Sequence, residues 1–190
     1  MTTKIPIIAM SLLLAAGAGA ATYDVTDFGA NGSDEESDFL GVQLALEKAK
    51  GATEAVTIVV PAGTYRLDHA LHIYSNTRLT LQDGARFVRS GNTDQLMLLA
   101  RHLNADGSDC PGDETCTHAG YSQYSNITID GGIWDAASGT DEVTGIMRLS
   151  HGSGLRIEGV CFEGCTDHML NISGSSDVLI RNCLFSSPVK

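Results

Sequence analysis

Three side chains in the second half of this 190-residue chain have types and spacing suited to holding a ligand: Arg148, His168 and Asn171. An arginine fork meets a carboxylate through two parallel hydrogen bonds. An imidazole and a carboxamide can exchange hydrogen bonds with hydroxyl groups. Arg148 stands in "GIMRLSHGSG" and the other two in "HMLNISGSSD", which align so that Leu149 falls on Ile172, 23 residues later. Strand alternation turns Ile146, Arg148, Met169 and Asn171 outward and leaves His168 at a strand start. The plainer account makes Arg148 and Asn171 solvated strand residues and His168 a turn filler.

Other chemistries find less support. His102, His118 and His151 fall in loops with no constellation around them, and no nucleophile elbow is present for Ser-His-Asp catalysis. Cys161, Cys165 and Cys183 lack metal-ligand spacing, so they read as buried structural thiols. The acidic run 34–38 lacks the alternating ligands and glycine of a calcium loop. No metal site and no cofactor are expected. Asp130 and Glu158 match one coil apart, but both fall at a turn and read as a charged surface ladder; no aspartate pair stands at matching positions of successive coils.

The elements that must position these residues repeat. "ITIDGGIWD" from Ile127, "LRIEGVCFE" from Leu155 and "VLIRNCLFS" from Val178 share one design. Each has an apolar–polar–apolar strand, then a charge (Asp130, Glu158, Arg181). A residue tolerant of positive φ follows (Gly131, Gly159, Asn182), and then an aromatic (Trp134, Phe162, Phe185). A period of 20 to 30 residues holding short strands and no helix points to an all-β solenoid, the parallel β-helix, in which equivalent side chains stack. Phe162 is expected over Trp134, and Phe185 over Phe162. Ahead of the repeat, "SDEESDFLGVQLALEKAK" carries Phe39, Val42, Leu46 and Ala49 at helical period, which predicts one short N-terminal capping helix.

Lys4, the apolar run 5–16 and Ala18-x-Ala20 describe a secretory signal peptide over 1–20, leaving 21–190 as the β-helix domain. The protein is therefore expected to be secreted and extracellular. In that setting Cys110 and Cys116, flanking "PGDET", read as a disulfide-closed loop. The net charge of −11 argues against nucleic acid or an anionic membrane as partner. Asn31, Asn126 and Asn171 open Asn-x-Ser/Thr triplets.

"YDVTDFGANGSDEESD", followed by "TIVVPAGTYRL", resembles the N-terminal region of the pectin lyase-like superfamily. That resemblance extends from about Tyr23 to Lys190 and implies a right-handed parallel β-helix. "ITIDGGIWD" is similar to the Gly-x-Gly-x-Trp-Asp element of polygalacturonases, matching at Gly132, Trp134 and Asp135, with Gly131 one place early. "LRIEGVCFEGCTDHMLNISGSSDVLIRNCLFSSP" resembles the two coils ahead of that family's active site. The family's next motifs (Asn-Thr-Asp, paired aspartates, Gly-His-Gly, Arg-x-Lys) are not found here. The resemblance thus implies a monomer acting on a polysaccharide, a polyuronate among the candidates. Its catalytic aspartates are expected beyond Lys190, in a longer β-helix of which this is the N-terminal part. Arg148 would then meet a uronate carboxylate, and His168 and Asn171 sugar hydroxyls. A non-catalytic carbohydrate-binding or adhesive module, and a pectate lyase or epimerase relative, stay open as alternatives.

Overall fold

The computed structural model describes residues 20–91, 96–100, 121, 123–136 and 145–186. The chain opens with β1 (Ala21–Asp24), a 3-10 turn at Val25–Phe28 and the helix α1 (Phe39–Leu46), extended by a 3-10 turn at Glu47–Ala49. The first coil then runs through β2 (Val56–Val60), β3 (Gly63–Leu67) and β4 (Leu71–Ile73). The second runs through β5 (Thr77–Leu81), β6 (Ala85–Arg89) and β7 (Leu98–Ala100), and the third through β8 (Tyr124–Asp130), β9 (Ile133–Asp135) and β10 (Met147–Arg148). The fourth holds β11 (Gly152–Glu158), β12 (Cys161–Glu163) and β13 (Leu170–Asn171), and the fifth β14 (Ser176–Arg181) and β15 (Leu184–Ser186). Each strand pairs in parallel with its counterparts in the neighbouring coils. The result is a six-stranded sheet (β1-β2-β5-β8-β11-β14), a five-stranded sheet (β3-β6-β9-β12-β15) and a four-stranded sheet (β4-β7-β10-β13).

Register makes the expected columns real. Phe162 pairs with Trp134 and with Phe185, and Trp134 in turn with Phe87, which pairs with Tyr65. The aromatic column is therefore two residues longer than the repeat foretold. Its rings meet edge-on at 4.8 Å between Phe87 and Trp134, and stack at 4.9 Å between Phe162 and Phe185. In the six-stranded sheet Leu79, Ile129 and Ile157 form an inner column at no more than 1% exposure. In the outermost described coil the columns reach Val178, Ile180 and Phe185, which are exposed.

The corners follow the sequence as well. Gly131, Gly159 and Asn182 take φ values of 71°, 65° and 55° after the strands of the six-stranded sheet, a region that glycine and asparagine enter cheaply. Asn76, just before β5, and Asn126, near the start of β8, also take positive φ, and the Asn126 side-chain amide donates to Asn76 Oδ1 at 3.0 Å. Asn126, one of the three triplet asparagines, is thereby engaged within the solenoid.

The helix is shorter than the expected one. Val42, Leu46 and Ala49 are buried as its period requires, but residues 34–38 lie ahead of it. Asp38 does not cap the helix with its side chain. Its buried carboxylate instead accepts from the backbone N–H of Asn31 and of Arg66, at 2.5 and 2.9 Å, which ties the acidic segment to the first coil. Residues 1–19, the Cys110–Cys116 loop, His102 and His118 lie outside the described residues.

Candidate functional site

The four-stranded sheet is built from the shortest strands, and its register brings together what the sequence kept far apart. Leu71, Leu98, Met147 and Leu170 form its inward column; His72, Leu99, Arg148 and Asn171 form the outward one. Strands one coil apart lie about 4.8 Å apart, so these four side chains span roughly 14 Å along the solenoid. All four are half-buried. The longest connections between strands also adjoin this sheet in chain order. Residues 90–97 and 136–146 lead into this sheet, and 101–123 lead out of it. Insertions on both sides of one sheet are where a rigid scaffold carries binding loops.

Arg148 and Asn171 are therefore neighbours in one outward column, as expected. His168 lies at the entry to β13, exposed, with Nδ1 2.6 Å from Asp167 Oδ1. Asn171 Oδ1 accepts from the Ser150 hydroxyl at 3.5 Å, and Ser150 in turn accepts from Ser173 at 3.0 Å. Two of the other residues expected to face outward do not. Ile146 is fully buried. Its carbonyl accepts from both Met97 and Leu98, which turns its side chain into the core one residue before the strand begins. Met169 packs partly against the core. The sequence reading missed His72 and Leu99, whose positions depend on pairing across insertions that hide the repeat.

Matched carboxylates occur on the other two sheets. Asp130 and Glu158 pair in register, followed by Arg181, as the alignment implied. Arg78 holds Asp130, and Arg181 holds Glu158 at 2.6 Å. A second pair went unrecognised although it closes the aligned stretches: Asp135 lies in register with Glu163. Arg86 bridges the two, 2.6 Å from Asp135 and 3.2 Å from Glu163. Glycoside hydrolysis needs one carboxyl free to donate a proton and another free to act as base or nucleophile. Both members of this pair are committed to one guanidinium, so the cluster reads as structural.

Of the three cysteines expected to be buried, Cys165 is, while Cys161 and Cys183 are only half-buried. Burial, aided by Glu163, pushes the Cys161 thiol up, and burial likewise raises Cys165, which disfavours the reactive thiolate. Among the described residues no group of three or more His, Cys, Asp or Glu is placed to hold a metal ion, and no helix is long and apolar enough to cross a membrane.

Solved structures resemble this geometry over most of the chain. A surface adhesin of Streptococcus pneumoniae, PfbA, matches with a TM-score of 0.67 at 22% identity, over 90% of this chain and 39% of the adhesin. A Yersinia enterocolitica family 28 exopolygalacturonase matches at 0.69 and 15% identity, over 90% and 39% of the two chains. The fold these structures share with the chain is the right-handed parallel β-helix. An iota-carrageenase of family GH82 from A. fortis also aligns, at 0.59 and 17% identity, over 88% of this β-helix and 38% of the enzyme. The chain thus spans about two fifths of the length of these neighbours. No protein-family model matches the sequence, and no curated protein does.

Proposed function

We propose that this β-helix is an exported polysaccharide-binding protein of the polygalacturonase-like kind, and that its ligand lies on the outward face of the four-stranded sheet. The observation that carries the reading is the column His72–Leu99–Arg148–Asn171. It places a cation, an imidazole, a carboxamide and an apolar contact on one straight face, beside the chain's insertions, and holds no carboxylate. In a chain with a net charge of −11, an outward column that carries an arginine and no carboxylate of its own suits an acidic sugar chain. Arg148 takes a carboxylate or similar anion there, while Asn171 and His168 meet hydroxyls. The enzyme and adhesin neighbours support a polysaccharide theme for the fold.

In the same proposal α1 serves as the N-terminal cap, residues 1–20 as the export signal, and 21–190 as the first part of a longer β-helix. The hydrolytic aspartates belong to that longer protein, so these 190 residues bind without turning over. The match to an adhesin favours the second reading, a binding module in its own right. Affinity electrophoresis in gels containing polygalacturonate, iota-carrageenan or a neutral β-glucan tests the proposal. Retardation by an acidic polymer is expected, with no release of reducing ends. Unchanged mobility in all three gels would sink it.

A further inference from the structure

One motif occurs twice: "DHALHI" over residues 68–73 and "DHMLNI" over 167–172. Register places the two copies in the first and fourth strands of the same sheet, with Leu71 in the column of Leu170 and His72 in the column of Asn171. The likeness extends to side-chain geometry. Asp68 Oδ1 lies 3.2 Å from His69 Nδ1, and Asp167 Oδ1 lies 2.6 Å from His168 Nδ1. Both imidazoles are exposed, at 48% and 73% of their side-chain surface. With Nδ1 beside the aspartate in each pair, Nε2 is the ring nitrogen left to meet a ligand. The strands between do not repeat the pair, since the same register places Leu96 and Gly145 at the histidine position.

The first copy is also braced. The Ser37 hydroxyl donates to Asp68 at 2.6 Å, and the Phe39 ring sits 5.0 Å from the His69 ring. Asp68, His69, Arg89 and Met97 line a small cavity of about 10 Å³, room for one water molecule. Nothing in the packing of the core asks for the dipeptide. The inward requirement is met by Leu-x-Ile alone, and the middle coils satisfy it without aspartate or histidine.

We infer that Asp68–His69–His72 and Asp167–His168–Asn171 are two like subsites gripping one extended polysaccharide chain along the solenoid axis, three rungs or roughly 14 Å apart. The inference rests on the ligand face proposed above. A polymer presents the same groups at regular intervals, so two like stations in one sheet match it. A mono- or disaccharide could engage only one of them. Leu99 and Arg148 lie between the stations, where the acidic groups of the bridging segment would pass. Affinity then climbs steeply once a ligand is long enough to reach both, because the second contact is intramolecular.

The test compares the intact chain with His69→Gln, His168→Gln and the double variant. It uses whichever of the three gel polymers binds, and short oligomers of the same polymer. Trp134 fluorescence checks that each variant is folded. Each single change is expected to weaken polymer binding about tenfold or more and to leave short-oligomer binding within about twofold, while the double change removes both. Polymer affinity untouched by either single change overturns the two-station inference and leaves the binding face standing. A polymer affinity lost as fully in one single variant as in the double overturns it as well. Failure of all three polymers to bind the unmodified chain overturns the face and the stations together.

Discussion

The three sheets are woven from the same alternating strands, yet their outward faces treat charge in opposite ways. On the six- and five-stranded sheets every carboxylate named above is matched by an arginine one or two rungs away: Arg78 with Asp130, Arg181 with Glu158, and Arg86 with Asp135 and Glu163. Charge there is spent on the solenoid itself, zipping coil to coil. The outward column of the four-stranded sheet contains no carboxylate at all, so its arginine has no acid of its own column to zip to. A parallel solenoid repeats whatever stands at one register position. A column without carboxylates is therefore where repetition can be turned toward an acidic partner.

The largest effect should come from beneath the zipped side. Phe162 is fully buried, in register with Trp134 and stacked on Phe185. Phe162→Ala removes the ring from the middle of the aromatic column and should cost about 3–5 kcal/mol. Urea unfolding followed by Trp134 fluorescence measures it. A cost under about 1 kcal/mol would mean that the column is not what holds this side together.

The sequence made that column legible because its signal is local. Trp134, Phe162 and Phe185 each end a strand of the same pattern, and the αL glycines and asparagine before them sit at fixed offsets. Tyr65 and Phe87 escaped because the insertion at 101–123 breaks the period between the second and third coils. The same break hid His72 and Leu99. Arg148 and Asn171, one regular step apart, could be placed together from the alignment alone. Ile146 misled for another reason. Simple alternation assigns it outward, but a strand of only two residues allows the backbone to turn just before it, and burial in the core outweighs alternation. The Asp-His dipeptide was visible in both copies, and went unread because the copies stand three coils apart rather than one.

Two arginines sharpen the contrast directly. Arg148→Ala should leave unfolding within about 0.5 kcal/mol and weaken acidic-polymer binding about tenfold, the order expected of a lost charge-assisted contact. Arg86→Ala should do the reverse. It leaves Asp135 and Glu163 facing each other across one rung, at a cost of about 1 kcal/mol after allowance for their partial exposure, with binding unchanged. Paired urea titrations and gel-mobility measurements on the two variants decide it. Should both lose the same property, the division of labour between faces fails.

The smallest effect lies where the two kinds of face meet, at the braced Asp68. Burial alone would raise its carboxyl, but the Ser37 hydroxyl and the His69 imidazole outweigh burial and hold it below the usual carboxylate range. A group depressed in the folded state stabilises above its unfolded value, near 3.9, and that contribution fades as pH falls through the folded value. Ser37→Ala takes away one of the groups that lower it, so the variant should lose less stability on acidification from about pH 5 to 3 than the parent does. At neutral pH it should be less stable by about 0.5 kcal/mol or less, since Asp68 is partly exposed. Urea midpoints at several pH values read both quantities. If the acid response is unchanged, the Ser37 hydroxyl does not brace Asp68, and the first station is then held like the Asp167–His168 station, by the aspartate–imidazole pair.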